Sequence, residues 1–110
     1  RAIDMIFHNG KIGETYNIGG NNEMTNIEII NKIIELEDEL LNRPKDHSKK
    51  LITFVTDRLG HDKRYAINSN KLQKELGWNP MMNFNDGLKN TIKYYLSKIE
   101  QENARQDIFN

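Results

Sequence analysis

Hydrophobic positions in this chain repeat mostly at helical spacing. The stretch TNIEIINKIIELEDELL places Ile27, Ile30, Ile34 and Leu41 on one stripe, flanked by Ile29, Ile33, Leu36 and Leu40, so the spacing predicts a helix with a broad apolar face. Thr25, with Glu28 three residues on, supplies a capping box at its start. Ala2 to His8 reads as the end of a helix, with Ile3, Ile6 and Phe7 on one face and Gly10 able to take the left-handed cap conformation. SNKLQKELGW predicts a helix capped near Ser69 and closed by Gly77. Beyond Pro80, Asn83 caps a last helix whose stripe is Leu88, Ile92, Tyr95, Leu96 and Ile99, with Asp86 in the positive first turn. A polar tail from about Glu102 is expected to fray.

Alternation of period two is scarcer. GETYNIG carries β-favouring Thr15, Tyr16 and Ile18, LITFV is a β-branched run suited to the inside of a sheet, and RYAI is a candidate third strand. NRPKDHSKK between helix and LITFV reads as a polar loop. The fold expected is α/β, a small mixed lobe of three to four helices and two or three short strands. So few strands make too little sheet for an independent α/β domain, and the lobe is expected to lean on structure outside the chain.

Composition narrows the functional classes. The 110 residues amount to one domain at most. Lys and Arg total 16, as do Asp and Glu, which leaves no net field to gather nucleic acid or an anionic membrane, so neither is expected as a partner. No cysteine is present; that excludes disulfides and thiolate metal sites and fits a reducing, cytoplasmic setting. No apolar run approaches the roughly 20 residues of a membrane span. The chain opens on Arg1 rather than Met, which reads as a cut in a longer protein.

Two stretches carry candidate chemistry. DRLGHDKRYAIN, from Asp57 to Asn68, directly follows LITFV, where α/β proteins place ligand groups. There Arg58 can clamp a phosphate, Gly60 lets backbone approach a ligand, and His61 can donate to an oxygen. The competing reading is a solvated loop whose charges pair with each other. In YNIGGNNE, Asn17 either faces a polar ligand or bonds turn backbone. Tyr94 and Lys98 stand at the spacing of a dehydrogenase Tyr/Lys pair, but on a helix far from any nucleotide-binding signature. GKIGETYNIGG is neither G-x-G-x-x-G nor a P-loop. Trp78 reads as a core plug at a helix exit, and no metal is expected from the scattered histidines. No catalytic set is expected within the chain.

In order, RAID, GKIGETYNIGGNNEMTNIEII, ITFVTDRLGHDKRYAINSNKLQKELGWNP and FNDGLKNTIKYYL resemble the C-terminal part of dTDP-glucose 4,6-dehydratases, which are extended short-chain dehydrogenases/reductases. The resemblance implies that residues 1–110 are a C-terminal lobe that binds a nucleotide-sugar, without the Rossmann domain of the full enzyme. It implies NAD in the full-length enzyme, held by that other domain and not by this chain, and a homodimer formed through it. It further implies a dTDP-sugar as the partner ligand, with Asn17 touching the nucleotide-sugar, Arg58 meeting the diphosphate, and Asp57, Gly60 and His61 completing the loop. The full reaction implied is loss of water from dTDP-glucose to give a 4-keto-6-deoxy sugar in deoxysugar biosynthesis. Where this chain has Leu59 and Asn68, the family commonly has Pro and Asp. Leu59 leaves the loop less pre-set, since φ is not locked near −65°. Alternatives are a related nucleotide-sugar epimerase or decarboxylase, or a freestanding interaction module docking through the Ile/Leu face of the Thr25 helix.

Overall fold

The computed structural model describes residues 1–62 and 64–108. Lys63 of the charged loop and the last two residues of the polar tail lie outside them. Two compact units divide the chain, one of residues 1–23 and 57–82, the other of residues 24–56 and from 83 onward.

The first unit holds α1 (Ala2–Asn9) and α3 (Asn70–Leu76), which pack on each other. Its core is small: Leu72 and Ser69 are fully buried and Ala2 nearly so. Gly10 ends α1 with its N–H on the Ile6 carbonyl at 2.8 Å, but its φ is −69° rather than left-handed. A glycine is required there for a different reason, since a Cβ would stand 2.5 Å from the Ile6 oxygen. Gly77 closes α3 in the left-handed conformation, φ 69°, as its sequence context predicts. Trp78 is half-buried, and its Nε1 is shielded without a partner among the described residues. Residues 14–16 are fastened to α3 by Lys71, which pairs with Glu14, donates to the Thr15 carbonyl at 3.1 Å and lies 4.8 Å over the Tyr16 ring.

The second unit holds α2 (Asn26–Leu40), a short 3₁₀ turn (His47–Leu51) and α4 (Phe84–Ile108). The capping box forms as expected: the Glu28 N–H reaches Thr25 Oγ1 at 3.3 Å, and the Thr25 N–H reaches Glu28 Oε2 at 2.7 Å. The apolar face of α2 packs on α4 and the 3₁₀ turn, burying Ile34 and half-burying Ile29, Ile33 and Leu36. The face offered above to an outside partner is therefore largely covered within the unit. Lys32 and Lys89 tie the two helices at their rims, to Asn85 at 3.1 Å and Glu39 at 2.9 Å. At the start of α4 Asn83 Oδ1 accepts the Asp86 N–H at 2.9 Å. The helix then continues to Ile108, through the segment expected to fray from about Glu102.

Helix α2 ends in a Schellman turn that the sequence reading did not anticipate. Asn42 takes φ 52°, its N–H meets the Glu39 carbonyl at 3.2 Å, and the Arg43 N–H meets the Asp38 carbonyl at 2.8 Å. This turn feeds the 3₁₀ segment and sets Ser48 under Asp38. The Asp38 carboxylate, 2% exposed, accepts the Ser48 hydroxyl at 2.6 Å and the Ser48 N–H at 3.0 Å. The Ser48 hydroxyl hydrogen bond, with smaller help from the backbone N–H, holds the Asp38 pKa below the ordinary carboxylate range despite burial.

The strands need correction. Among the described residues no β-strand is present, against the two or three expected. A strand exists only through ladder bonds to a neighbour, and short isolated pairs are marginal in water. LITFV finds no such neighbour: Phe54 and Val55 are each 84% exposed instead of packing inside a sheet. Residues 17–23 and 64–69 do run alongside each other in opposite directions. Gly19 lies so close to Ile67 that a Cβ would stand 3.1 Å from Ile67 Cγ2, and the two carboxylate oxygens of Glu23 accept from Nε and Nη2 along one edge of the Arg64 guanidinium. Side chains join the two segments where ladder bonds would otherwise stand.

Candidate nucleotide-sugar site

The loop from Asp57 folds into a tight turn because one carboxylate oxygen gathers it. Asp57 Oδ1 accepts the Arg58 N–H at 2.9 Å and His61 Nδ1 at 2.6 Å. The His61 N–H meets the Arg58 carbonyl at 3.3 Å, and Gly60 occupies φ 72°, a conformation glycine adopts without steric cost. Of the five residues singled out from sequence, four therefore form one local structure. Asp57 is 72% exposed and His61 only 30% by side chain. Leu59 projects into solvent at the tip.

The solvated-loop reading holds for Asp57 and His61, which bond to each other. It does not extend to Arg58, whose guanidinium carries no ion pair or hydrogen bond among the described residues, whereas Arg64 six positions on is fully engaged by Glu23. The Glu23 hydrogen bond raises the pKa of Arg64, and the Arg64 hydrogen bond lowers that of Glu23. Asn17 lies on the exposed segment between Tyr16 and Gly19. Among the described residues no hydrogen bond joins it to the 57–61 turn.

Sequence reading missed a cleft in the same unit. Of about 500 Å³, it is lined by Gly19, Gly20, Asn21 and Glu23 on one side and by Tyr65 and Asn68 on the other. None of Asn17, Asp57, Arg58, Gly60 or His61 lines it. Its floor depends on Ser69, fully buried, whose hydroxyl lies 3.2 Å from the Gly19 carbonyl and 3.1 Å from Asn21 Oδ1. Helix α3 opens on Ser69, whose side chain makes no capping bond, and just before it Asn68 Oδ1 accepts the Asn70 N–H at 2.9 Å. The Asp62 carboxylate holds the Tyr65 hydroxyl by a hydrogen bond that raises its pKa.

The Tyr94/Lys98 pair is a surface contact, Lys98 Nζ standing 5.6 Å from the Tyr94 ring. The four described helices open on Arg1, Thr25, Ser69 and Asn83, none on a glycine-rich turn that would cradle a dinucleotide pyrophosphate. The described residues thus do not fit NAD. No described helix is long and apolar enough to cross a membrane.

The family model for GDP-mannose 4,6 dehydratase matches residues 1–91. The chain is 43% identical over 103 residues to dTDP-glucose 4,6-dehydratase of Salmonella typhimurium, covering 94% of this chain and 28% of that protein. It is 49% identical over 96 residues to a probable dTDP-glucose 4,6-dehydratase of Sinorhizobium fredii, covering 87% of this chain and 27% of that one. A crystal structure of dTDP-glucose 4,6-dehydratase from Bacillus anthracis in complex with NAD superposes with a TM-score of 0.74 at 45% identity, over 90% of this chain and 28% of that one. The chain thus spans a little over a quarter of the length of these relatives. With 91 residues matched by the family model and identity well above 40% to its curated relatives, this chain belongs to the GDP-mannose 4,6 dehydratase family, among whose members it is similar to dTDP-glucose 4,6-dehydratases.

Proposed function

We propose that this chain is the nucleotide-sugar-binding lobe of a dTDP-glucose 4,6-dehydratase, acting together with a nucleotide-binding domain outside it. The observation that carries this reading is the Asp57–His61 turn, which uses Asp57 and His61 on each other and leaves the Arg58 guanidinium unpaired among the described residues. A planar, always-charged fork with five donors suits a diphosphate, whose oxygens accept in parallel pairs. Gly60 at φ 72° lets the backbone turn back at a position with no side chain of its own. Asn17, one extended segment away in the same unit, offers a carboxamide with both donor and acceptor for the nucleoside or sugar.

In the whole enzyme NAD supplies hydride transfer to and from the sugar, and the partner domain holds it. This chain's own residues bind and orient: Arg58 offsets diphosphate charge, His61 donates or accepts at one oxygen, and the turn fixes where both stand. The exposed Phe54 and Val55, and Ile3 and Phe7 of α1 at 76% and 82% exposure, are apolar surface that such a domain would cover. On this reading the chain alone is catalytically silent.

The test is a titration of the ¹⁵N-labelled chain with dTDP, followed by amide shifts. The amides of Asn17, Arg58, Gly60 and His61 are expected to move together along one saturating curve. Shifts confined to the cleft residues Asn21, Tyr65 and Asn68, or none up to millimolar dTDP, would overturn the assignment.

A further inference from the structure

A carboxylate beside a diphosphate is electrostatically misplaced. Two like charges about 4 Å apart repel by about 1 kcal/mol even in bulk water, and by more near a protein surface. Yet Asp57 stands directly before the arginine assigned to that diphosphate. Its bonds resolve the conflict. Oδ1 takes both the Arg58 N–H at 2.9 Å and His61 Nδ1 at 2.6 Å, so two donors of the turn engage one carboxylate oxygen while the side chain as a whole stays 72% exposed to water.

We propose that Asp57 is a positioning residue and not a ligand contact: its carboxylate fixes the turn and the ring of His61, so that Arg58 and His61 Nε2 are the groups presented to the diphosphate. This rests on the proposed function above. An ionised carboxylate is acceptor-only, so the short contact requires Nδ1 to carry the hydrogen. Nε2 sits on the far side of the ring from Nδ1 and is thereby turned away from Asp57. The ring is also held at its backbone, through the His61 N–H on the Arg58 carbonyl at 3.3 Å. His61 is only 30% exposed by side chain, which fits a ring seated in the turn and not swinging in solvent. The turn therefore stands ready before any ligand arrives, and a ligand does not have to order it. With no proline ring to lock φ at Leu59, the Asp57 bonds and the backbone bond from His61 to Arg58 hold this turn.

The experiment has two arms on the full chain and on Asp57→Ala and Asp57→Asn. In the first, side-chain ¹⁵N spectra of His61, without ligand, are expected to show Nδ1 protonated in the parent chain and in Asp57→Asn, whose Oδ1 still accepts, and to lose that preference in Asp57→Ala. In the second, calorimetric titration with dTDP is expected to show about tenfold weaker binding in Asp57→Ala, a difference worth about 1.4 kcal/mol, although a negative charge has been removed. Asp57→Asn is expected to restore affinity to within about threefold of the parent. Bare Nδ1 in the parent chain, or Asp57→Ala binding dTDP as tightly as the parent or tighter, would overturn the positioning role. Failure of the parent chain and Arg58→Ala to differ in dTDP affinity would instead overturn the proposed function, while the tautomer of His61 would still report on what Asp57 does.

Discussion

Two aspartates in this chain make nearly the same bonds and do different work. Asp38 accepts a side-chain donor at 2.6 Å and a backbone N–H at 3.0 Å; Asp57 accepts a side-chain donor at 2.6 Å and a backbone N–H at 2.9 Å. The first is 2% exposed as a residue, the second 72% by side chain. Where water is excluded, an unmet partner cannot be rescued, so the bonds of Asp38 decide whether the second unit holds together. Where water is present it replaces each lost bond at little cost, so the bonds of Asp57 decide shape and not survival. Geometry alone does not tell a structural carboxylate from one that arranges a site. Burial does.

The sharpest test of the contrast is Ser48→Ala, which strips two-bond support from the Asp38 carboxylate to one. It should lower stability by about 2 kcal/mol in urea unfolding, the usual effect of leaving a buried partner of a charged group unmet. The same substitution should change the acid response. Because the folded pKa of Asp38 is depressed, the stability it contributes is present above the ordinary carboxylate value of about 3.9 and is lost as pH falls toward the folded pKa. Stability of the parent chain should therefore fall as pH drops below the ordinary carboxylate value, and Ser48→Ala should flatten that slope. Equal slopes in the two proteins would mean that Asp38 gains nothing from Ser48.

Next in size is Arg58→Ala, expected to weaken dTDP binding about thirtyfold while leaving the urea midpoint in place, as befits a guanidinium outside any ion pair among the described residues. Arg64→Ala makes the opposite case: loss of the Glu23 pair should loosen the 17–23 segment with little direct effect at the turn. Gly60→Ala should follow, costing about 1 kcal/mol because an L side chain at φ 72° is strained. Nothing stands within 4 Å of a Cβ there, so the cost comes from the backbone alone. It should show as a reopened turn in the amide shifts of Arg58 and His61.

The contrast also explains what the sequence made legible. The helices carried their own signals within a few residues: Thr25 with Glu28, Asn83 with Asp86, Gly77 at the end of α3. Each is a bond between near neighbours, so a linear reading finds it. The Asp57–His61 turn falls in the same class, four residues from end to end. Asp38 and Ser48 lie ten apart across a turn, Glu23 and Arg64 forty-one apart, Ser69 and Gly19 fifty. No spacing rule points to such pairs, and the cleft beside the last two was invisible for the same reason. The Schellman turn at Asn42 was within reach, since Asn two residues before Pro44 is a stop signal. The strands failed differently. Thr15, Tyr16, Ile18 and the run LITFV have the right propensities, but propensity states only that a residue fits a paired, half-buried surface. Phe54 and Val55 have the side chains for such a surface and nothing within the described residues to pair with.

The smallest effect expected is the stability change of Asp57→Ala, and it is the one on which the comparison turns. The carboxylate is 72% exposed, so water takes over both of its acceptors and the donors on Arg58 and His61 when it is removed. An exposed substitution away from caps and core usually stays within about 0.5 kcal/mol, and the urea midpoint of Asp57→Ala should do so. Set beside Ser48→Ala, with its nearly identical bond lengths, that is a severalfold difference produced by solvent access alone. If Asp57→Ala were as damaging as Ser48→Ala, the turn would be part of what holds the first unit together. Its bonds would then no longer be evidence of a site arranged in advance for a guest.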